Sequence, residues 1–241
     1  MNDRYSAQTI ISQIGPEGQK RLADASAVVV GAGGLGSPVL TYLVSAGIGR
    51  IGLIDHDTVS LSNLNRQFLH RESDVGRLKV LSAKEKLSAI NSEVDIAVCD
   101  EYLTDQNAKT LLTGYDLILG CVDSQEARFV INRASAALRI PYIDGGVSGF
   151  NGCVMFSHPP KTPCLSCVFP DGESTKKPTG VIGPTAGAIG VIEANLALLW
   201  FLGLRIPIEG KLLLYDGLRM STEFINIKRD SKCIVCGGIS D

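Results

Sequence analysis

The chain has 241 residues, 45% hydrophobic and 20% charged, which suits one α/β domain or two small ones of ordinary folded composition. A formal net charge of −2 gives no electrostatic case for binding nucleic acid or an anionic membrane. The N-terminus, Met1-Asn2-Asp3-Arg4-Tyr5-Ser6, is polar and carries no apolar signal core, so a cytoplasmic location is expected.

In chain order, residues 6–25 mix apolar and polar positions at helical spacing, with a break at Gly15-Pro16. Residues 26–30 are apolar, mostly valine, and run into glycine, the pattern of a buried strand. A helix over 35–46 ends at Gly47, and 50–54 form a second strand, completing a βαβ unit. Residues 73–90 read as helix and 94–98 as strand. A helix over 104–112 opens with Thr104 as its N-cap. Strand 116–123 ends in an acid, and helix 126–138 and strand 141–144 follow. Strands alternating with helices predict a Rossmann-like, doubly wound, mostly parallel sheet.

After Gly145 the pattern changes. Strands over 152–156, 211–216 and 223–227 read as an antiparallel extension packed onto the first part, with a helix over 187–202 between them. Residues 159–183 are proline-rich and read as a long loop. The apolar stretch 186–204 holds Glu193 and Asn195, so a buried helix is expected rather than a membrane span.

Three groups of residues carry chemistry. Gly31-Ala32-Gly33-Gly34-Leu35-Gly36 follows a strand and opens a helix, so its backbone N–H groups suit a phosphate. Asp55 closes the next strand, where an acid bonds a ribose hydroxyl. That pair suits NAD as well as ATP.

The run 55–67 adds Asp57, Ser62, Asn63, Asn65 and Arg66, with Lys79 beyond it. Two cations beside a glycine loop favour a triphosphate losing pyrophosphate, because charge builds on the phosphates as it leaves. Asp123 lies at the carboxyl end of a strand, where ligands of open α/β sheets bind. It suits Mg²⁺ or a base contact, with helix capping alongside Ser124 as the plainer alternative.

Seven cysteines are present, four of them in two CxxC pairs, Cys164/Cys167 and Cys233/Cys236. Two such pairs make a closed tetrahedral thiolate site for structural Zn²⁺, although 65 residues separate them. Cys99, Cys121 and Cys153 lie in apolar strand contexts and are expected in the core. His56, His70 and His158 show no metal spacing and no base–nucleophile pattern, and no role is assigned to them.

Taken together, the glycine loop, the 55–66 segment, Lys79, Asp123 and both cysteine pairs resemble the MoeB/ThiF/HesA family, MoeB most closely, from about Arg4 to Gly237. The resemblance implies a single adenylation domain over 1–241, with a nucleotide-binding half (1–145) and a carrier-binding, zinc-holding half (146–241). It implies ATP and Mg²⁺ as well as structural zinc, and a homodimer. The implied substrate is a ubiquitin-fold sulfur carrier ending in Gly-Gly, which is adenylated with release of pyrophosphate for molybdopterin, thiamin or related sulfur transfer. By the same resemblance Gly34 lies against the phosphates, Asp55 binds ribose, Ser62, Asn63, Asn65 and Arg66 line the nucleotide, and Lys79 neutralises phosphate. Asp123 sits at the metal or the acyl-adenylate.

Two departures stand out. The family pattern has an arginine where this chain has Ala7, which implies either weak activity or Arg4 as a substitute. The segment Ser174-Thr175-Lys176-Lys177-Pro178-Thr179-Gly180-Val181 has no cysteine, which argues against covalent carrier or sulfur transfer there. An NAD-dependent oxidoreductase, a non-catalytic binder and an enzyme adenylating another carboxylate are the alternatives.

Overall fold

A computed structural model describes residues 3–170 and 180–239. Eight strands form one sheet in the order β3-β2-β1-β4-β5-β6-β7-β8. Strands β1 (Ser26–Val30), β2 (Arg50–Ile54), β3 (Asp95–Cys99), β4 (Leu117–Gly120) and β5 (Tyr142–Ser148) run parallel. Strands β6 (Asn151–Ser157), β7 (Lys211–Asp216) and β8 (Ser221–Asn226) continue it antiparallel.

The unbroken apolar run of β1 has a direct cause: both faces of the sheet are covered. Ala27 and Val29 pack with α2 (Gly15–Asp24), α3 (Gly36–Ala46), α4 (Lys79–Ile90) and α8 (Gly183–Phe201). Val28 and Val30 pack with α5 (Ala108–Leu112) and α6 (Gln125–Leu138) on the opposite face. Two short helices, α1 (Ser6–Thr9) and α7 (Leu165–Val168), complete the set.

Several expectations are corrected. The antiparallel strands extend the parallel sheet edge to edge through β5 and do not pack onto it as a second layer. The helix expected over 73–90 begins only at Lys79, because Gly76 adopts φ +88°, and a 3₁₀ turn, Glu72–Asp74, precedes it. Thr104 is not an N-cap. Asn107 holds that position before α5 and accepts from the Thr104 N–H at 2.8 Å.

The helical stretch 6–25 is broken, over residues 10–14, so that α1 ends at Thr9 and Gly15-Pro16 opens α2; proline tolerates the first turn, where N–H groups have no helical acceptor. The late helix begins at Gly183, four residues earlier than expected, and again places a proline in its first turn. Of the 159–183 loop, residues 171–179 fall outside the described residues, and with them most of the cysteine-free 174–181 segment.

The apolar helix α8 is the one described helix long and apolar enough to cross a membrane. Here it packs on α3, β5 and β6, with Glu193 fully buried.

Candidate functional site

Strands β1 and β4 are neighbours, yet the helices that follow them, α3 and α6, lie on opposite faces. Such a topological switch, at the carboxyl ends of the strands, is where ligands of open α/β sheets bind. The glycine loop leaves β1 on one side of it and Asp123 follows β4 on the other.

The loop is built close to its neighbours. Gly31 adopts φ +104°, and a Cβ there would strike the Cys121 carbonyl. A Cβ on Gly36 would collide with the Gly31 carbonyl. Ala32 is held from both sides. Its N–H donates to Asp55 Oδ2 at 2.7 Å, and its carbonyl lies 3.0 Å from His70 Nε2. The other Asp55 oxygen accepts from the Asp57 N–H at 2.9 Å. Among the described residues no acceptor engages the N–H groups of Gly33, Gly34 or Leu35.

A 3₁₀ turn, Leu61–Asn63, brings the polar run over the loop. Asn63 Oδ1 accepts from the Ser60 N–H at 3.1 Å, and Ser62 Oγ lies 2.9 Å from Ser60 Oγ. Arg66 donates to the Ser62 carbonyl at 3.0 Å and to Asn65 Oδ1 at 3.1 Å. Its aliphatic stem packs against Gly34, 3.5 Å from where a Cβ would lie. Gln67 is buried beside Gly33, and its Oε1 has no hydrogen-bond partner among the described residues.

Lys79 opens α4 and is nearly buried, pairing with Asp57 at 2.8 Å. Burial alone raises the Asp57 carboxyl, but the hydrogen bond and charge of Lys79 outweigh it and hold it below the ordinary range. Asp123 is exposed, with no hydrogen bond or ion pair among the described residues. Ser124 caps α6, accepting from the Ala127 N–H at 3.2 Å. The structure therefore brings the glycine loop, Asp55, Asp57, the 62–66 turn and Lys79 into one continuous contact set, with Asp123 at the end of the neighbouring strand β4.

His70 was given no role by its sequence context, yet it is buried and bonds the glycine loop. Its Nδ1 lies 2.8 Å from Ser82 Oγ. Burial, helped by the charges of Lys79 and Lys86, pulls the ring below the usual histidine range, against the Ala32 carbonyl bond. No spacing signal marks this histidine; only the fold brings residue 70 to residue 32.

Beside Arg66 lies an open cavity of about 590 Å³, lined by Asn65, Gly149, Phe150, Ile182 and Gly183 among others. Arg4 donates to the Ile90 carbonyl at the C-terminal end of α4, at 2.7 Å, whereas Lys79 opens that helix. Ala7 is exposed on α1.

The four cysteines converge despite their separation. Sulfur distances are 3.9 Å for Cys164–Cys167, 3.6 Å for Cys164–Cys233 and 3.4 Å for Cys167–Cys236. A tetrahedral ion with bonds of about 2.3 Å needs sulfurs about 3.8 Å apart. The donor set and its spacing fit. Asn132 Nδ2 lies 3.8 Å from Cys164 Sγ, and the Asp230 N–H lies 3.4 Å from Cys167 Sγ. Arg229 braces the second pair through the carbonyls of Cys236 and Ile239, at 2.5 and 2.6 Å. Of the three remaining cysteines, Cys121 is buried, and Cys99 and Cys153 are partly buried.

A glycine loop at the switch point of a doubly wound sheet, facing a cationic turn and an exposed acid, has the build of a nucleotide-binding α/β protein. The chain belongs to the ThiF family, which it matches over residues 5–235. It is 41% identical over 245 aligned positions to a sulfur carrier protein adenylyltransferase of Thermus thermophilus, covering 98% of this chain and 90% of that one. It is 35% identical to the sulfur carrier protein ThiS adenylyltransferase of Escherichia coli, covering 99% and 98%. Identity to the adenylyltransferase and sulfurtransferase MOCS3 of Culex quinquefasciatus is 39%, and the match takes in 99% of this chain but only 55% of that one. Among solved structures, MccB of E. coli with succinimide superposes with a TM-score of 0.88 at 24% identity, over 98% of this chain and 74% of that one, a likeness of fold.

Proposed function

We propose that this chain adenylates the C-terminal glycine of a ubiquitin-fold sulfur-carrier protein, using ATP and releasing pyrophosphate. The products would feed molybdopterin, thiamin or a related sulfur-transfer route. The observation that carries this is the contact between Arg66 and the glycine loop, beside a cavity with glycine in its wall. Two full-length bacterial relatives named as sulfur-carrier adenylyltransferases support it. Family membership removes the reason for the oxidoreductase alternative.

In this reading the triphosphate lies along the N–H groups of Gly33, Gly34 and Leu35, and Asp55 meets the ribose. Ser62, Asn63, Asn65 and Arg66 line the nucleotide, with Lys79 and Arg66 meeting charge that develops on the phosphates. The carrier's own carboxylate oxygen attacks the α-phosphorus. The bond from that phosphorus to the bridging oxygen breaks, and pyrophosphate takes the electron pair. No nucleophile of this chain is needed, so catalysis is positioning plus charge stabilisation. The glycine-bearing cavity wall suits the slim tail of a Gly-Gly terminus. Asp123 would hold Mg²⁺, which supplies charge neutralisation on the phosphates, and Ser124 stands beside it. Cys164, Cys167, Cys233 and Cys236 would hold a structural Zn²⁺ with no open position. We extend the reading to a cytoplasmic homodimer with one adenylation domain over 1–241, its nucleotide half ending near 145.

The test is Mg²⁺-dependent ATP–pyrophosphate exchange against ubiquitin-fold proteins ending in Gly-Gly. Exchange with one carrier, lost when its last two residues are removed, is the expected result. Tight ATP binding without exchange for any carrier would favour a nucleotide-binding protein that has lost activity through Ala7.

A further inference from the structure

We propose that His70 is a positioning residue of the adenylation site: by donating from Nε2 to the Ala32 carbonyl, it turns the next N–H, that of Gly33, outward to meet a nucleotide phosphate. The proposal deepens the adenylyltransferase reading and rests on it.

The geometry follows from the peptide plane. A carbonyl can only accept, so the 3.0 Å contact requires a proton on Nε2. In a trans peptide the C=O and the following N–H are coplanar and point in opposite directions. The Ala32 carbonyl and the Gly33 N–H belong to one such plane. Drawing the carbonyl in toward buried His70 therefore drives the N–H of partly exposed Gly33 away from that buried ring. That N–H has no acceptor among the described residues, as expected of a donor kept for a ligand.

The preceding plane is fixed in the same way from the other side. The Ala32 N–H is held by Asp55 Oδ2 at 2.7 Å. Asp55 and His70 thus clamp the two planes that flank Ala32. Such a clamp is needed because a loop with four glycines in six residues has almost no side chains to hold its own shape, and glycine loses the most conformational entropy on ordering.

The imidazole is itself anchored. Nδ1 lies 2.8 Å from the hydroxyl of fully buried Ser82 on α4, which in turn receives Lys86 Nζ at 3.1 Å. Lys86 pairs with buried Asp74 at 2.6 Å. The ring is pulled toward its neutral form, in which Nδ1 accepts from Ser82 while Nε2 donates to the loop. The histidine so joins the phosphate loop to the first turns of α4, the helix that also presents Lys79.

The experiment compares His70→Phe and His70→Gln with the unaltered protein. Phenylalanine keeps the bulk and removes the donor; glutamine keeps an N–H near the Nε2 position. Affinities for ATP and for adenosine are measured by displacement of a fluorescent ATP analogue, with thermal unfolding as a folding control. His70→Phe is expected to bind ATP about tenfold more weakly, the worth of one oriented hydrogen bond at a charged ligand. Adenosine, which has no phosphate, should bind it as it binds the unaltered protein. His70→Gln should recover most of the ATP affinity. Unchanged ATP affinity in a folded His70→Phe variant overturns the proposal. So does an equal loss for ATP and adenosine, or a folded glutamine variant no better than phenylalanine. If the unaltered protein binds no ATP, the adenylyltransferase reading itself has failed, and the control separates that result from failure of the clamp.

Discussion

Glu193 on α8 presses its carboxyl group onto Gly145 of β5, so closely that a Cβ on the glycine would lie 2.5 Å from Glu193 Cδ. Both carboxyl oxygens are buried without a hydrogen-bond partner among the described residues. Burial pushes the Glu193 pKa far up, Asp144 adds to the push, and Arg128 opposes it. Arg128 is committed to Asp144, which it meets through Nε at 3.0 Å and through Nη2. A carboxyl group raised in the folded state gives stability that is fully present below its unfolded pKa of about 4.3 and lost as pH rises through the folded value. Glu193→Gln is therefore expected to raise Tm by several degrees at about pH 8 and to leave it nearly unchanged at about pH 4. Calorimetry across that range checks it; a variant less stable at every pH would show that the carboxyl has an unseen partner. Gly145→Ala should destabilise by about 1–3 kcal/mol through overpacking against the same group.

Asp74 predicts the opposite sign. It is buried and receives Lys86 at 2.6 Å, Arg77 at 2.9 Å and the Arg71 N–H at 2.8 Å. Burial raises its carboxyl, but the hydrogen bond and charge of Lys86, together with the Arg71 N–H, outweigh that and bring it down to about 2. A depressed acid contributes stability above its unfolded pKa of about 3.9 and loses it as pH falls toward the folded value. Asp74→Asn should cost about 3 kcal/mol at neutral pH, because Lys86 is left nearly buried and unpaired. The difference from the unaltered protein should shrink below about pH 3. Urea titrations at two pH values measure both, and a constant difference would contradict the assignment.

Both groups show where local pattern stops. The runs that became β1, β2 and β4 were legible because strands covered on both faces read as unbroken apolar segments. The cysteine pairs were legible because the spacing of CxxC is local, even with 65 residues between the pairs. The edge-to-edge continuation through β6–β8 was not, since an antiparallel strand pattern looks the same whether it extends a sheet or covers one. Helix starts failed where one residue decided them: Gly76 before α4 and Asn107 before α5. The 55–66 run was visible by its polar composition. His70 was not, because its partner Ala32 lies 38 residues away, and neither was the lack of a partner for the Glu193 carboxyl among the described residues, which only the fold decides.

Arg66 and Asp123 are predicted to separate activity from stability. Among the described residues Arg66 hydrogen-bonds only within its own turn, and Asp123 is exposed without a partner. Surface changes away from packed networks alter stability by about 0.5 kcal/mol. Losing a charge aimed at developing phosphate charge costs about 100- to 1,000-fold in rate. Arg66→Ala and Asp123→Ala should thus melt close to the unaltered protein while carrier-dependent pyrophosphate exchange falls by at least that factor. Unaltered exchange in either variant would remove that residue from the site.

The cysteine cluster predicts a metal that supports the fold and takes no part in the chemistry. Four sulfurs already 3.4 to 3.9 Å apart along the measured edges leave no coordination position for substrate. Asn132 links the cluster to α6, donating to Ser166 Oγ at 3.1 Å and accepting from the Leu165 N–H at 2.9 Å. Asp123 lies before the N-terminus of that helix, more than two turns from Asn132, so loss of the ion should loosen the molecule before it alters the reacting groups. Elemental analysis should find about one zinc per chain. Cys236→Ser should lower that content and reduce stability by about 3 kcal/mol, or roughly 6–12 °C in Tm. Exchange activity measured well below the lowered Tm should persist. Rate loss in step with zinc content, in protein still fully folded, would mean that the ion shapes the adenylation site directly.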